Sequence, residues 1–280
     1  MKRQHQLQTL CEYVEKCGEV QEDKNYFFKH MNCNGIYILW LRQIKRYLRS
    51  KSRIIGSLGQ PILFLVALGF GFGPIYQKAQ GGNFIQFLAP GIISMGVLFT
   101  AIFTGIEIIW DKRFGFLKET LVAPVSRFEI MLGRTLGGAT VATLQGVFIF
   151  FISLIFGFRP VSLSMSLLAF VFVFIIAFLF TAVGTAIASF LEDMQGFQLI
   201  MNFLVMPLFF LSGALFPLQD ASGFLVTIAK FDPLTYGVDA LHGTLLNNSN
   251  FGIGFDFAML ILISIFFLGA GSYLFSKIEV

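Results

Sequence analysis

Six stretches of this chain stay apolar for about 20 residues, the length an α-helix needs to cross the hydrocarbon of a bilayer. They run roughly over 55–75, 86–108, 135–157, 166–190, 198–217 and 256–276. The pattern predicts an all-α membrane protein with six transmembrane helices. The first run carries Gly69, Gly71 and Gly73 and ends at Pro74, and small residues at i, i+4 allow close helix approach. The fourth carries Thr181, Gly184, Thr185, Ala188 and Ser189, a small-residue face suited to packing. Pro207 interrupts the fifth, so a kink is expected there.

One polar stretch breaks this pattern in an ordered way. Asp111 to Arg134 is a charged island of 24 residues, and the runs Ala79–Ile106 and Thr135–Phe158 on either side hold no formal charge. It is too short for a folded domain. Residues 112–121 predict a short amphipathic helix with Phe114, Leu117 and Leu121 on one side and Lys112, Arg113 and Lys118 around the rest. Ala123-Pro124 breaks that helix, because proline disfavours α geometry in the residue before it. Ser126 and Glu129 then form the S-x-x-E of a capping box and launch the next helix. A plain loop needs neither a break nor a restart. The island predicts a small surface helix offered to a partner.

Two other segments fall outside the spans. In residues 36–50, IYILWLRQIKRYLRS, the residues Arg42, Lys45, Arg46 and Arg49 recur at i, i+3, i+4, i+7 and form one cationic stripe. Ile36, Trp40, Ile44, Tyr47 and Leu48 fall elsewhere on the wheel, which predicts an N-terminal amphipathic helix lying in the membrane interface. A basic start to the first span is the other reading. Within 218–254, Gly223–Lys230 and Thr235–Leu246 are short apolar segments separated by Asp232-Pro233. They predict an external re-entrant helical hairpin between spans five and six. Residues 1–35 form a polar arm with no apolar h-region, hence no cleaved signal peptide. The chain thus divides into an arm, 1–35, and a six-span domain, 36–280.

Composition and charge sharpen the picture. With 56% hydrophobic residues, 13% charged, 36 Phe and a mean hydropathy of +0.76, a water-soluble domain is excluded. Seventeen of the 20 Lys and Arg precede the first span, lie in the island or stand in the C-terminal tail. Lys78, Arg159 and Lys230 are left on the other side, so both termini and the island are expected in the cytoplasm. Cys11, Cys17 and Cys33, with His5 and His30, fit no zinc spacing and read as free thiols in a reducing cytosol.

Chemistry of its own is sparse. The chain has no GxxxxGK[ST] phosphate loop and no HExxH. His242, which has no obvious partner, and the external carboxylates Asp220, Asp232, Asp239 and Asp256 are the residues a membrane enzyme would have to use, but loop solvation and helix capping account for the carboxylates better. Glu107 is the one carboxylate expected inside a span, and matching depth predicts an ion pair with Arg134 on the next antiparallel helix. No internal repeat and no charged filter favours a secondary transporter or a channel.

Three stretches resemble the membrane subunits of ABC-type exporters, in particular the drug, lipo-oligosaccharide and O-antigen permeases. They are FIQFLAPGIISMGVLF (84–99), RFGFLKETLVAPVSRFEIMLGR (113–134), and MPLFFLSGALFPL (206–218) followed by FDPLTYGVDALHG (231–243). The resemblance covers about residues 36–280. It implies a half-transporter that is not itself an enzyme: two permease copies, two separate ATP-binding subunits that hold ATP and Mg, membrane lipids around them and no nucleic acid. Arg113, Phe114, Gly115, Phe116, Leu117, Lys118 and Glu119 would form the helix coupled to the ATPase. Trp40, Arg42, Lys45, Arg46 and Arg49 would belong to the interfacial helix beside it, and Ser212, Gly213, Phe216, Pro217, Asp232 and Pro233 to the external hairpin. It further implies a prokaryotic plasma membrane and outward movement of an amphipathic cargo along the interface of the two permeases. An ATPase-independent carrier or a membrane scaffold is the alternative from another class, and a membrane enzyme using His242 or Asp239 is a third.

Overall fold

The computed structural model describes residues 33–80, 83–122, 125–218 and 222–276. Cys11, Cys17, His5 and His30, the Ala123-Pro124 break, Asp220 and Lys277 lie outside the described residues. Within them the regular structure is helical. The helices are α1 (Cys33–Arg49), α2 (Lys51–Gln80), α3 (Phe84–Phe103), α4 (Ile106–Arg113), α5 (Phe116–Val122), α6 (Arg127–Ile155), α7 (Leu163–Phe190), α8 (Met194–Leu211), α9 (Gly223–Ala229), α10 (Pro233–Leu246) and α11 (Ile253–Ser276).

Six segments are long and apolar enough to cross a membrane: α2, α3 with α4, α6, α7, α8 and α11. Consecutive spans alternate in direction. Gln86 near the start of α3 bonds Gly157 and Arg159 just past α6, while Lys112 at the end of α4 donates to the carbonyl of Ser189 at the end of α7. One end of the bundle therefore holds α1, α4, α5 and the start of α6. The opposite end holds the 156–162 turn, α9 and α10.

Packing centres on α7, which contacts α3, α6, α10 and α11. Its predicted small-residue face is buried, and the hydroxyls of Thr185 and Ser189 bond carbonyls of their own helix. At the closest approach Gly184 meets the joint between α3 and α4. A Cβ on Gly184 would lie 2.4 Å from the Ile102 carbonyl oxygen, and one on Gly105 would lie 2.4 Å from that of Gly184. The two backbones touch because neither residue carries a side chain.

Several boundaries differ from expectation. Pro74 sits inside α2, which continues to Gln80, because an internal proline removes one backbone bond without ending a long helix. Gly71 and Gly73 face open space, and of the predicted glycines only Gly69 packs inside the chain, against Ile85. The fifth span ends at Leu211, six residues early, because Gly213 turns the chain at φ 77°. The helix predicted over 112–121 divides in two. α4 extends the second span to Arg113, Gly115 adopts φ 79°, and α5 starts afresh at Phe116.

Candidate functional site

The island places α5 at one end of the bundle as a short helix joined to two spans. On one side the left-handed Gly115 lets the chain leave α4 sharply. On the other, the predicted capping box is formed: Ser126 Oγ accepts from Glu129 N at 3.2 Å, and Glu129 Oε2 accepts from Ser126 N at 2.8 Å. Leu117 is fully buried and anchors α5, whereas Phe116, Lys118, Glu119 and Val122 are exposed. Phe114, expected on one side of a single helix with Leu117 and Leu121, instead caps the end of α4, where it is exposed and stacks on Trp110 with ring centroids 5.3 Å apart. The Gly115 turn takes it off the α5 face. Arg113 is exposed at the end of α4.

Behind α5 lies a cluster of six charges. Asp111, at the end of α4, accepts from Arg42 at 3.0 Å, from Arg46 at 3.5 Å and from Arg134 at 2.5 Å. Glu107, one turn earlier, accepts from Arg46 at 3.1 Å and from Arg53. Both carboxylates and Arg134 are buried, while Arg42, Arg46 and Arg53 are about one-third exposed. The predicted Glu107–Arg134 pair is therefore not the arrangement found. Both residues are in the cluster, but Arg134 donates to Asp111, a turn further along, and Glu107 is held by α1 and the start of α2. Depth was legible in one dimension, but the arrival of α1 beside α4 was not. Buried carboxylates are costly unless each is paired; here α1, α2, α4 and α6 are tied together by the pairing.

The cationic stripe of α1 is split by this packing. Arg42 and Arg46 turn into the cluster, and Lys45 and Arg49 stay exposed. Gly133 and Gly137 on α6 make room for Ile36, Leu39 and Gln43 of α1. Trp40 Nε1 donates to Thr140 Oγ1 at 3.0 Å. Tyr47, expected with the aromatics at headgroup depth, is 1% exposed and donates to Gln145 Oε1 at 2.8 Å. Ser57 donates to the same oxygen at 3.1 Å, and burial pushes the Tyr47 phenol above its ordinary value. Gln145 escaped the sequence reading; its signal was a lone amide in the uncharged 135–158 run.

At the opposite end, Ser212 caps α8, donating to Phe209 O at 2.8 Å, and Gly213 follows. Phe216 and Pro217 are half-buried in the turn. Asp232 caps α10, accepting from Leu234 N at 2.8 Å, with Pro233 in the first turn. Burial pushes the Asp232 carboxyl up to about 7. Residues around His242 line a cavity of ≈ 160 Å³. His242 does have partners, the Val238 and Phe87 carbonyls, each at 3.0 Å, and burial lowers its pKa. Asp239 accepts from Asn250 N and Nδ2 and from Phe251 N and so clamps the following loop. Asp256 is buried in the first turn of α11 rather than solvated. Both candidate enzyme residues thus have structural duties. Among the described residues no group of three His, Cys, Asp or Glu could hold a metal ion.

Comparison with known proteins agrees with this layout. The family model described as "ABC-2 type transporter" matches residues 34–246. The chain is 27% identical over 259 residues to a candidate transport permease, ycf38, of Cyanophora paradoxa, covering 87% of this chain and 88% of that one. It is 26% identical to nodulation protein J of Rhizobium leguminosarum bv. viciae, over 69% of this chain and 74% of that one. Nodulation protein J of Sinorhizobium fredii is 22% identical, with 83% and 90% covered.

Proposed function

The chain belongs to the ABC-2 type transporter family and is a membrane permease subunit of an ABC-type transport system, and we propose that it is the export half whose α5 couples to a separate ATP-binding subunit. One observation carries this reading. α5 is anchored through Leu117, presents Phe116, Lys118 and Glu119 outward, and is joined through Gly115 to the span that ends in the charge cluster. An exposed helix that is stiffly linked to a span can deliver a push to it; a free loop cannot.

In this proposal Arg113 through Glu119 form the coupling segment, and α1 is the interfacial helix beside it. The ion cluster makes α1, α2, α4 and α6 respond as one body. The island end faces the cytoplasm of a prokaryote, as does the arm 1–35, while α9 and α10 with the Ser212–Pro217 turn form the external hairpin of the domain 36–280. Two copies of the chain and two ATP-binding subunits, which hold the ATP and Mg, make the complex. Exposed Phe70, Phe72, Phe203 and Phe210 on α2 and α8 suit an amphipathic cargo carried between the copies. The test is co-purification from the native membrane with an ATP-hydrolysing subunit, repeated with Phe116→Asp and Lys118→Glu. Loss of the subunit from a monodisperse variant is the expected result. Retention in the variant would put the ATPase contact away from α5, and no ATPase with the unaltered chain would move the reading to a carrier or scaffold.

A further inference from the structure

Lys112, at the end of α4, takes no part in the ion cluster. Its half-buried ammonium donates to the carbonyl of Ser189 in the last turn of α7. That carbonyl is one of those that a helix end leaves without an internal partner, and the helix dipole favours a cation there. The Glu192 carboxylate just past α7 attracts the same ammonium. Among the described residues this is the hydrogen bond that joins α4 to α7.

The two helices also meet at the other end of α4, where Gly105 and Gly184 bring their backbones together. The winding tightens at that point. Gly105 N donates to Ile102 O at 3.0 Å and Glu107 N to Thr104 O at 3.2 Å, each three residues back instead of four. Such winding inside a long span often marks a hinge. α4 can therefore turn at Gly105 while Lys112 fastens its far end to α7. α7 itself runs from Leu163 to Phe190 without a proline. Towards the opposite end of the bundle it is keyed to α10: Ile176 is fully buried, and a Cβ on Gly237 would lie 2.8 Å from its side chain. Gly184 stands between the two attachments. At a rise of ~1.5 Å per residue the arms are about 7.5 Å to Ser189 and about 12 Å to Ile176. A stiff helix held at Gly184 turns a shift of about 1 Å at Ser189 into about 1.6 Å at Ile176, in the opposite sense.

We propose that Lys112 is the positioning residue through which α5 moves α10, with α7 as the rocking lever between them. The inference rests on the reading of α5 as the contact to the ATP-binding subunit and adds where the motion goes. The ion cluster ties α4 to α1, α2 and α6, and none of its members stands on α7. Lys112 extends that body to the helix on which α10 packs. α10 is also bonded to α3, through His242 and the Phe87 carbonyl, so rocking α7 against α3 shifts the external end at that bond.

The test is hydrogen exchange, followed by mass spectrometry, on the full chain with its co-purified ATP-binding subunit, with and without ATP and vanadate. In the unaltered complex ATP should change exchange both in residues 116–122 and in residues 233–252. Lys112→Gln should keep the first response and lose the second. Lys112→Arg should retain both, and so should Ser189→Ala, which leaves the accepting carbonyl in place. Ile176→Ala, which loosens the other end of the lever, should again lose only the second, so the claim is tested even if Lys112→Gln fails to assemble. A full response at 233–252 in monodisperse Lys112→Gln or Ile176→Ala would overturn the proposal and leave Lys112 as a helix cap only. So would a response confined to 116–122 in the unaltered complex. No response at 116–122 in the unaltered complex would instead reject α5 as the coupling helix, and this inference with it.

Discussion

Asp111→Asn should destabilise this protein more than Arg134→Gln, although the two residues form one ion pair. Arg134 is 6% exposed at its side chain, and among the described residues Asp111 is its acceptor. Removing the Asp111 charge strands a buried guanidinium, a loss of about 3–5 kcal/mol. Removing Arg134 leaves Asp111 still bonded by Arg42 and Arg46, both partly solvated, so the cost should be nearer about 1.5–3 kcal/mol, that of a charged hydrogen bond. The double variant should then show a coupling energy of about 1–3 kcal/mol, because neither group is left behind. Glu107→Gln with Arg134→Gln should couple by less than about 0.5 kcal/mol, since Glu107 is held by Arg46 and Arg53 instead. The assay is reversible unfolding in mixed micelles, followed by Trp fluorescence. Simple additivity of Asp111→Asn and Arg134→Gln would show that the two do not form an energetic pair. Coupling of Glu107 to Arg134 as strong as that of Asp111 would show that Glu107 shares the guanidinium after all.

Other outcomes follow from single contacts. Gly184→Val should prevent a monodisperse bundle, because even the Cβ would lie 2.4 Å from the Ile102 carbonyl oxygen, and overpacking of backbone on backbone costs about 1–3 kcal/mol or more; a normal gel-filtration profile would show that α3 and α7 can separate freely. Tyr47→Phe should cost about 1 kcal/mol in the same unfolding assay by removing the donor to buried Gln145, and no change would mean that Ser57 alone satisfies that oxygen. Asp232 holds its proton more tightly when folded, at about 7 against an ordinary 3.8, so the folded state carries more protons between those values. The contribution of Asp232 to stability should therefore fall as pH rises through that window and level off above it. Asp232→Asn, which can still cap Leu234 N, should make the fall in stability smaller, and parallel profiles for the two proteins would refute the assignment.

What could be read in the sequence followed from local chemistry. Hydropathy marked all six spans because a bilayer tolerates no unpaired backbone and few charges. The Ser126–Glu129 box was visible because capping is decided within four residues. The end of α8 was misplaced because a left-handed Gly213 is invisible to a hydropathy window. Phe114 was put on the wrong face because a helix was drawn through Gly115. The partners of Glu107 were missed for another reason: Arg46 and Arg53 are 61 and 54 residues away in the chain, and only the packing of α1 on Gly133 and Gly137 brings them there. His242 looked solitary for the same cause, since one of its partners is the carbonyl of Phe87.

If α5 is the contact through which an ATP-binding subunit drives this permease, that subunit must lie against it in the intact membrane. A photo-crosslinking residue placed at Phe116, with a matched one at exposed Val161 at the opposite end, tests this directly. The expected result is an adduct at 116 with a protein carrying a GxxxxGK[ST] phosphate loop, and none at 161. No such adduct at 116, or equal adducts at both ends, would contradict the coupling role of α5.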